Sequence, residues 1–187
     1  MKQITLIRHA KVDIDNSQKI DSLSLQKWVK AYDSAPIHIE SLAPKETITL
    51  VQNADIVLTS TLIRAVDSAG VLGVEVYEKN ELFNEAIIPK IDIPFFKFKP
   101  KTWLVILRIL LLLGLGKKDT SFQASKQQAK KASQNLVQFS NTHDNIVLVG
   151  HGGMNWLISK ALIKEGWVLD EKASHANWGA TVLRFET

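Results

Sequence analysis

The sequence predicts an α/β fold, a three-layer α/β/α sandwich around a mostly parallel central sheet. Three short apolar runs, Ile4-Thr5-Leu6-Ile7, Ile56-Val57-Leu58 and Ile146-Val147-Leu148-Val149, read as buried strands. Each is followed closely by residues suited to an anion: Arg8-His9-Ala10, Ser60-Thr61-Leu62-Ile63-Arg64-Ala65 and Gly150-His151-Gly152-Gly153. Helical patterns separate the runs, as in βαβ units. Open parallel sheets collect their ligands at the carboxyl ends of strands. Two histidines and two arginines are therefore expected to meet there.

The expected order is β-α-α-β-α-β, then an unusual insert, then α-β-α-β. The first strand begins almost at Met1. Residues Ser24 to Tyr32 read as a helix with Leu25, Trp28 and Val29 on one face. Pro44 suits the first turn of a second helix running through Leu50 and Val51. Ala54-Asp55 leads into the Ile56 strand, and Ser60 is expected to cap the helix carrying Arg64. Val74-Glu75-Val76-Tyr77 alternates as a short strand. A long helix, Phe122 to Phe139, turns Phe122, Ala129, Ala132, Leu136 and Phe139 to the core. The helix after Gly153 continues through Met154, Trp156, Leu157 and Ile158, and Val182-Leu183-Arg184-Phe185 is the last strand. No repeat or low-complexity linker interrupts this order, so 1–187 is read as one domain.

Composition narrows the function. A chain of 187 residues is long enough for a sizeable core, and 45% apolar against 22% charged residues argues against disorder. The net charge of +4 is compatible with an anionic substrate, and no nucleic-acid reader motif accompanies it. Without cysteine there is neither a disulfide nor a cysteine-rich metal site. The amino terminus lacks the succession of a signal peptide, so a cytoplasmic location is expected.

A neutral imidazole can attack phosphorus and form a phosphohistidine, splitting one displacement into two. Its other ring nitrogen must then be held by an acceptor. Guanidinium forks match phosphate oxygens and stay charged. In chain order, Leu6-Ile7-Arg8-His9-Ala10, Ser60-Thr61-Leu62-Ile63-Arg64-Ala65, Leu82-Phe83-Asn84-Glu85 and Val149-Gly150-His151-Gly152-Gly153 resemble the motifs of the histidine phosphatase superfamily, the phosphoglycerate-mutase-like group. The likeness spans most of the chain. Ala10 replaces the family's usual glycine and leaves the backbone carbonyl available.

The resemblance implies a phosphoglycerate-mutase-like fold and a phosphatase acting on a small phosphomonoester. His9 is the implied nucleophile, and Arg8, Arg64, His151 and Gly152 the implied phosphate-binding residues. His151 is also a second catalytic imidazole, and Glu85 the general acid and later base. Glu81 is its rival, because a sequence does not show which side chain turns inward. Asp13 and Asp15 are weaker candidates for substrate contact, read first as solvated loop charges. His175 reads as structural or exposed, near Asn177 and Trp178, and no motif surrounds His38 or His143. No metal or other cofactor is implied. A mutase of the same group is the runner-up. A metal-dependent hydrolase using His9, His151 and acidic residues lacks a His-Glu-x-x-His ligand pair. A non-catalytic scaffold docking through the insert is the third alternative.

That insert, Ile91 to Lys118, departs from the family pattern. Its run from Trp103 to Leu115 is 13 residues, nearly all apolar, with Arg108 as its one charge. A membrane span needs about 20. Lys97, Lys99, Lys101, Lys117 and Lys118 flank the run and suit an anionic surface. The first expectation is a helix buried in its own domain or in a homodimer contact. A lid that narrows access to His9, with Arg108 facing pocket or water, is the second, and membrane contact through 103–115 the third.

Overall fold

The computed structural model describes residues 1–87, 95–112, 120–170 and 173–186, and within them all side chains except those of 108, 110–112, 120 and 121. The chain order is β1 (Lys2–Arg8), α1 (Ser22–Ser34), α2 (Lys45–Gln52), β2 (Ile56–Thr59), α3 (Ile63–Val71), β3 (Glu78–Lys79), a 3₁₀ turn (Glu81–Phe83), α4 (Pro100–Leu112), α5 (Thr120–Phe139), β4 (Asn145–Gly150), α6 (Gly152–Lys164), β5 (Val168–Leu169) and β6 (Ala180–Phe185).

The three apolar runs are β1, β2 and β4, and they lie side by side. The sheet order is β3-β2-β4-β1-β6-β5. The pairs β3–β2, β2–β4 and β4–β1 are parallel, while β6 runs antiparallel to β1 and β5. Alternate strand residues feed two cores, as the pleat requires. Ile4, Leu6, Leu58, Ile146 and Leu148 meet Ala129, Ala132 and Leu136 of α5 and Met154 and Ile158 of α6 on one face. Ile7, Val57, Val147 and Val149 meet Val51 of α2, Ala69 of α3 and Leu72 at the end of α3 on the other. Helices on both faces of a mostly parallel sheet complete the three layers expected.

Several elements differ from expectation. The strand placed at Val74 to Tyr77 forms slightly later. Gly73 turns the chain at φ 70°, Val74 and Val76 pack on the Val57 face, and the ladder is Leu58↔Glu78 and Thr59↔Lys79. The two-residue edge strand β5 has no counterpart in the sequence reading. Ser60 does not cap α3. Leu62 occupies the N-cap position without a side-chain bond, and Ser60 serves the site instead.

The insert forms a helix that packs on α1. Leu25 of α1 buries against Trp103 and Leu107 of α4, with Ile20, Trp28, Val29 and Phe98 around them. The Trp103 indole N–H donates to the Ile20 carbonyl at 2.7 Å, and Ile20 bridges Phe98. Residues 91–94 and 113–118, with Leu113, Leu115, Lys117 and Lys118, and the side chain of Arg108 lie outside the described part.

Candidate active site

Sheet register brings the motifs together. Arg8 pairs with Gly150 across β1–β4, so His9 and His151 follow side by side. The His9 N–H donates to the Gly150 carbonyl at 2.9 Å, and the two imidazole centroids lie 5.2 Å apart. On the far side of β4, Thr59 pairs with Val149, which delivers Ser60 and then Arg64 in the first turn of α3. His9, Arg64 and His151 are each at most 1% exposed, and Ser60 is fully buried.

Both imidazoles have one nitrogen committed. His9 Nδ1 lies 2.6 Å from the Ala10 carbonyl, which only accepts, so Nδ1 carries the proton and Nε2 the lone pair. The Ala10 N–H donates to Ser68 Oγ at 2.9 Å, and Asn177 Nδ2 donates to the His9 and Ala10 carbonyls at 2.9 and 3.0 Å. Burial, His151, Arg64 and Arg8 together lower the His9 pKa to about 3, against the bond to Ala10. His9 is therefore a neutral imidazole.

His151 Nε2 lies 2.7 Å from Ser60 Oγ. That oxygen also accepts from the Leu62 N–H at 3.3 Å. Its own proton has Nε2 within reach, an arrangement that puts the His151 proton on Nδ1. Burial, then Arg64 and Arg8, hold the His151 pKa well below the usual histidine range.

The arginines repeat this arrangement. Arg64 Nη1 pairs with Asp33 Oδ1 at 2.9 Å, and its guanidinium lies 4.7 Å over the Tyr32 ring. Arg8 Nη1 donates to the His175 carbonyl at 2.7 Å, so exposed His175 anchors through its backbone. Gly152 makes room for Arg8: a Cβ there would come within 3.3 Å of Arg8 Cδ. In each of the three cationic or imidazole side chains a further nitrogen is buried without a partner, namely Arg8 Nε, Arg64 Nε and His151 Nδ1. Buried polar atoms are rarely left unpaired. Three such donors beside one neutral imidazole can cradle a tetrahedral oxyanion.

Local structure also separates Glu85 from Glu81. Buried Phe83 anchors the 3₁₀ turn in the core. Gln128 Nε2 donates to the Leu82 and Asn84 carbonyls, each at 3.1 Å, and Asn84 Oδ1 accepts from the Thr61 N–H and hydroxyl, each at 3.0 Å. Glu85 Oε1 then accepts from the Met154 N–H at the start of α6, at 2.9 Å, and from the Ala86 N–H at 3.0 Å. Glu81 is exposed. A cleft of about 500 Å³ is lined by both Glu81 and Glu85, with Asn80, Asn84 and Gln128 on its walls, so it is the bond to Met154 that distinguishes Glu85. Asp13 and Asp15 are exposed, and Asp15 Oδ1 accepts from the Ser17 N–H. His38 Nδ1 accepts from the Glu40 N–H and His143 Nδ1 bonds Thr142 Oγ1, both away from the motifs.

Sequence reasoning did not single out Tyr32 and Asp33 as site residues. Tyr32 lies edge-on to His9, with centroids 6.3 Å apart, and stacks on Trp28 at 5.1 Å. Burial raises its phenol pKa above the ordinary value. The spacing Leu25, Trp28, Val29, Tyr32 was a usable signal, since it puts Tyr32 on the inner face of α1. Among the described residues, no three His, Cys, Asp or Glu side chains gather as a metal-ligand set, and no helix is long and apolar enough to cross a membrane.

No family model and no curated protein matches the sequence. Solved structures do match it in fold. A phosphoserine phosphatase variant from Entamoeba histolytica, in complex with phosphoserine, superposes with a TM-score of 0.60 at 16% identity, over 100% of this chain and 92% of that one. An open reading frame product of Mycobacterium tuberculosis gives 0.59 at 13% identity, over 99% and 92%. A mycobacterial glucosyl-3-phosphoglycerate phosphatase gives 0.52 at 15% identity, over 97% and 89%. The chain has the phosphoglycerate-mutase-like fold of the histidine phosphatases. Three of the four quoted motifs lie at the ends of β1, β2 and β4.

Proposed function

We propose that this protein is a histidine phosphatase that hydrolyses a small phosphomonoester through a phosphohistidine on His9. The observation that carries the reading is the trio of unpartnered buried donors beside a neutral imidazole of fixed tautomer. His9 Nε2 attacks phosphorus while the ester oxygen leaves. Arg8, Arg64 and His151 Nδ1–H stabilise charge on the equatorial oxygens in a site from which water is largely excluded. Glu85 protonates the leaving oxygen, then takes a proton from the water that attacks the phosphohistidine. Inorganic phosphate leaves, and His9 returns to its starting state. The similar phosphatases are described with phosphoserine or glucosyl-3-phosphoglycerate, which supports a small phosphorylated substrate. Hydrolysis is favoured over mutase transfer because the chain after Glu85 is poor in the arginines a second phosphate would need.

A panel of phosphomonoesters, assayed with and without chelator, tests the reading. Turnover is expected in both arms. Glu85→Gln should lower kcat about 10²–10⁴-fold on alkyl phosphates and far less on aryl phosphates, whose leaving groups need little protonation. The same pattern in Glu81→Gln, and not in Glu85→Gln, would reassign the proton donor.

A further inference from the structure

The insert has two faces of opposite character. Its inner face, Trp103 and Leu107, is buried on α1. Its outer face leaves Val105 and Ile109 at 52% and 49% exposure. Just ahead of α4, Phe95 is 90% exposed and Phe96 56%, with Phe96 stacked on Phe98. Lys97, Lys99 and Lys101 alternate with these groups and are all exposed. Residues 95–118 contain six Lys or Arg and no Asp or Glu. On the adjoining element, the acid that feels Lys97 is Asp21, which caps α1 by accepting from the Ser24 N–H at 2.7 Å.

Large apolar side chains grouped on a surface and rimmed by charge mark an interaction site rather than scatter. Phenylalanine interleaved with lysine fits one environment well. The ring enters the boundary between headgroup and acyl chain, and the ammonium stays with lipid phosphate. A second copy of the chain fits worse, because it would set two basic segments face to face. An acid-free segment is complementary in charge to an anionic surface, which anionic lipid supplies. The 13-residue α4 is too short to span a bilayer, so the contact is peripheral.

We propose that residues 95–109 dock this protein on an anionic bilayer surface, with Phe95 and Phe96 entering the headgroup boundary and Lys97, Lys99 and Lys101 pairing with lipid phosphates. None of these residues belongs to the candidate active site, so the docking stands or falls independently of the phosphatase reading.

The test is co-sedimentation of the full chain with vesicles of phosphatidylcholine alone or mixed with phosphatidylglycerol. Binding is expected only to the anionic vesicles, and salt near 0.5 M should reverse it, since screening then acts within a few Å. The Phe95→Ser/Phe96→Ser and Lys97→Glu/Lys99→Glu/Lys101→Glu variants should each bind at least about tenfold more weakly, with unchanged circular dichroism and unchanged turnover of soluble phosphomonoesters. Absence of wild-type binding to anionic vesicles at low salt would overturn the proposal. So would wild-type binding by both variants. Self-association of the wild type without lipid, lost in Phe95→Ser/Phe96→Ser and accompanied by no vesicle binding, would assign the patch to a dimer contact instead.

Discussion

His9 combines deep burial with neutrality, and the two have one cause. The same desolvation that strips water from the ring removes its proton, and the neighbouring Arg8, Arg64 and His151 add to the effect. This has a consequence for stability. The unfolded chain takes up a proton on this histidine below about pH 6.5, whereas the folded chain does not until about pH 3. Stability should therefore be fully present above pH 6.5 and be lost as pH falls toward 3, with His9 alone contributing roughly 2 kcal/mol of loss by pH 5. Urea unfolding at pH 7, 6 and 5 checks this, with His9→Gln expected to show a shallower decline. Asp33 offers a second prediction at this scale. It anchors Arg64 Nη1, while Arg64 Nε is buried without a partner. Asp33→Ala should lower kcat roughly 10–100-fold by releasing the guanidinium, while Asp33→Asn, which retains an acceptor oxygen, should stay close to wild type. Equal kcat values for all three proteins would remove Asp33 from the site. Arg8, His9, Arg64 and His151 were legible because each directly follows, or lies within one helical turn of, an apolar strand. Asp33 and Asn177 were not, because they reach Arg64 or His9 only through tertiary contact from a helix and a loop, and for Tyr32 the helical spacing shows an inner face but not the ring it meets. Ser60 is legible as the first residue of its motif but not as a cap: its hydroxyl bonds His151, and Leu62 takes the N-cap position of α3.

At the scale of elements, the site depends on α1 as much as on the strands. That helix holds Tyr32 and Asp33 in place and is itself braced by α4 through Leu25, Trp103 and Leu107. The insert thus reaches the site by supporting α1. Trp103→Ala should cost about 3–5 kcal/mol and also reduce kcat, whereas Phe95→Ser, on the exposed side, should change neither by much. Thermal unfolding and steady-state kinetics on both variants decide it. The loop before β6 is a further support. Trp178 adopts φ 62°, an unfavourable conformation for a bulky residue, while its N–H donates to the Arg8 carbonyl at 3.0 Å and its side chain is buried. Long, strongly periodic elements such as α5 were legible within two residues at their ends. The two-residue strand β5 is not, because a strand that short carries too few residues for alternation to register, and β3 forms just after the alternating run, whose Val74 and Val76 pack on the core instead. For α4 the sequence predicts a helix buried in its own domain but not the stripe that meets α1, because an almost continuously apolar helix does not reveal which stripe faces inward.

For the whole molecule, the fold gathers chain segments that are far apart in sequence into one volume. Residues 8–10, 60–64, 82–85 and 150–153 converge because parallel strands β1, β4 and β2 end at the same edge of the sheet. That convergence, more than any single motif, is what makes phosphoryl transfer through His9 the best reading. It is tested most directly by trapping the intermediate. The protein is mixed with a ³²P-labelled phosphomonoester during turnover, quenched in alkali, and the label mapped. Base-stable, acid-labile label on His9 is expected in the wild type and strongest in Glu85→Gln with an aryl phosphate, with none in His9→Ala. Turnover of the wild type without label, or more than about a tenth of wild-type activity in His9→Ala, would contradict a phosphohistidine mechanism.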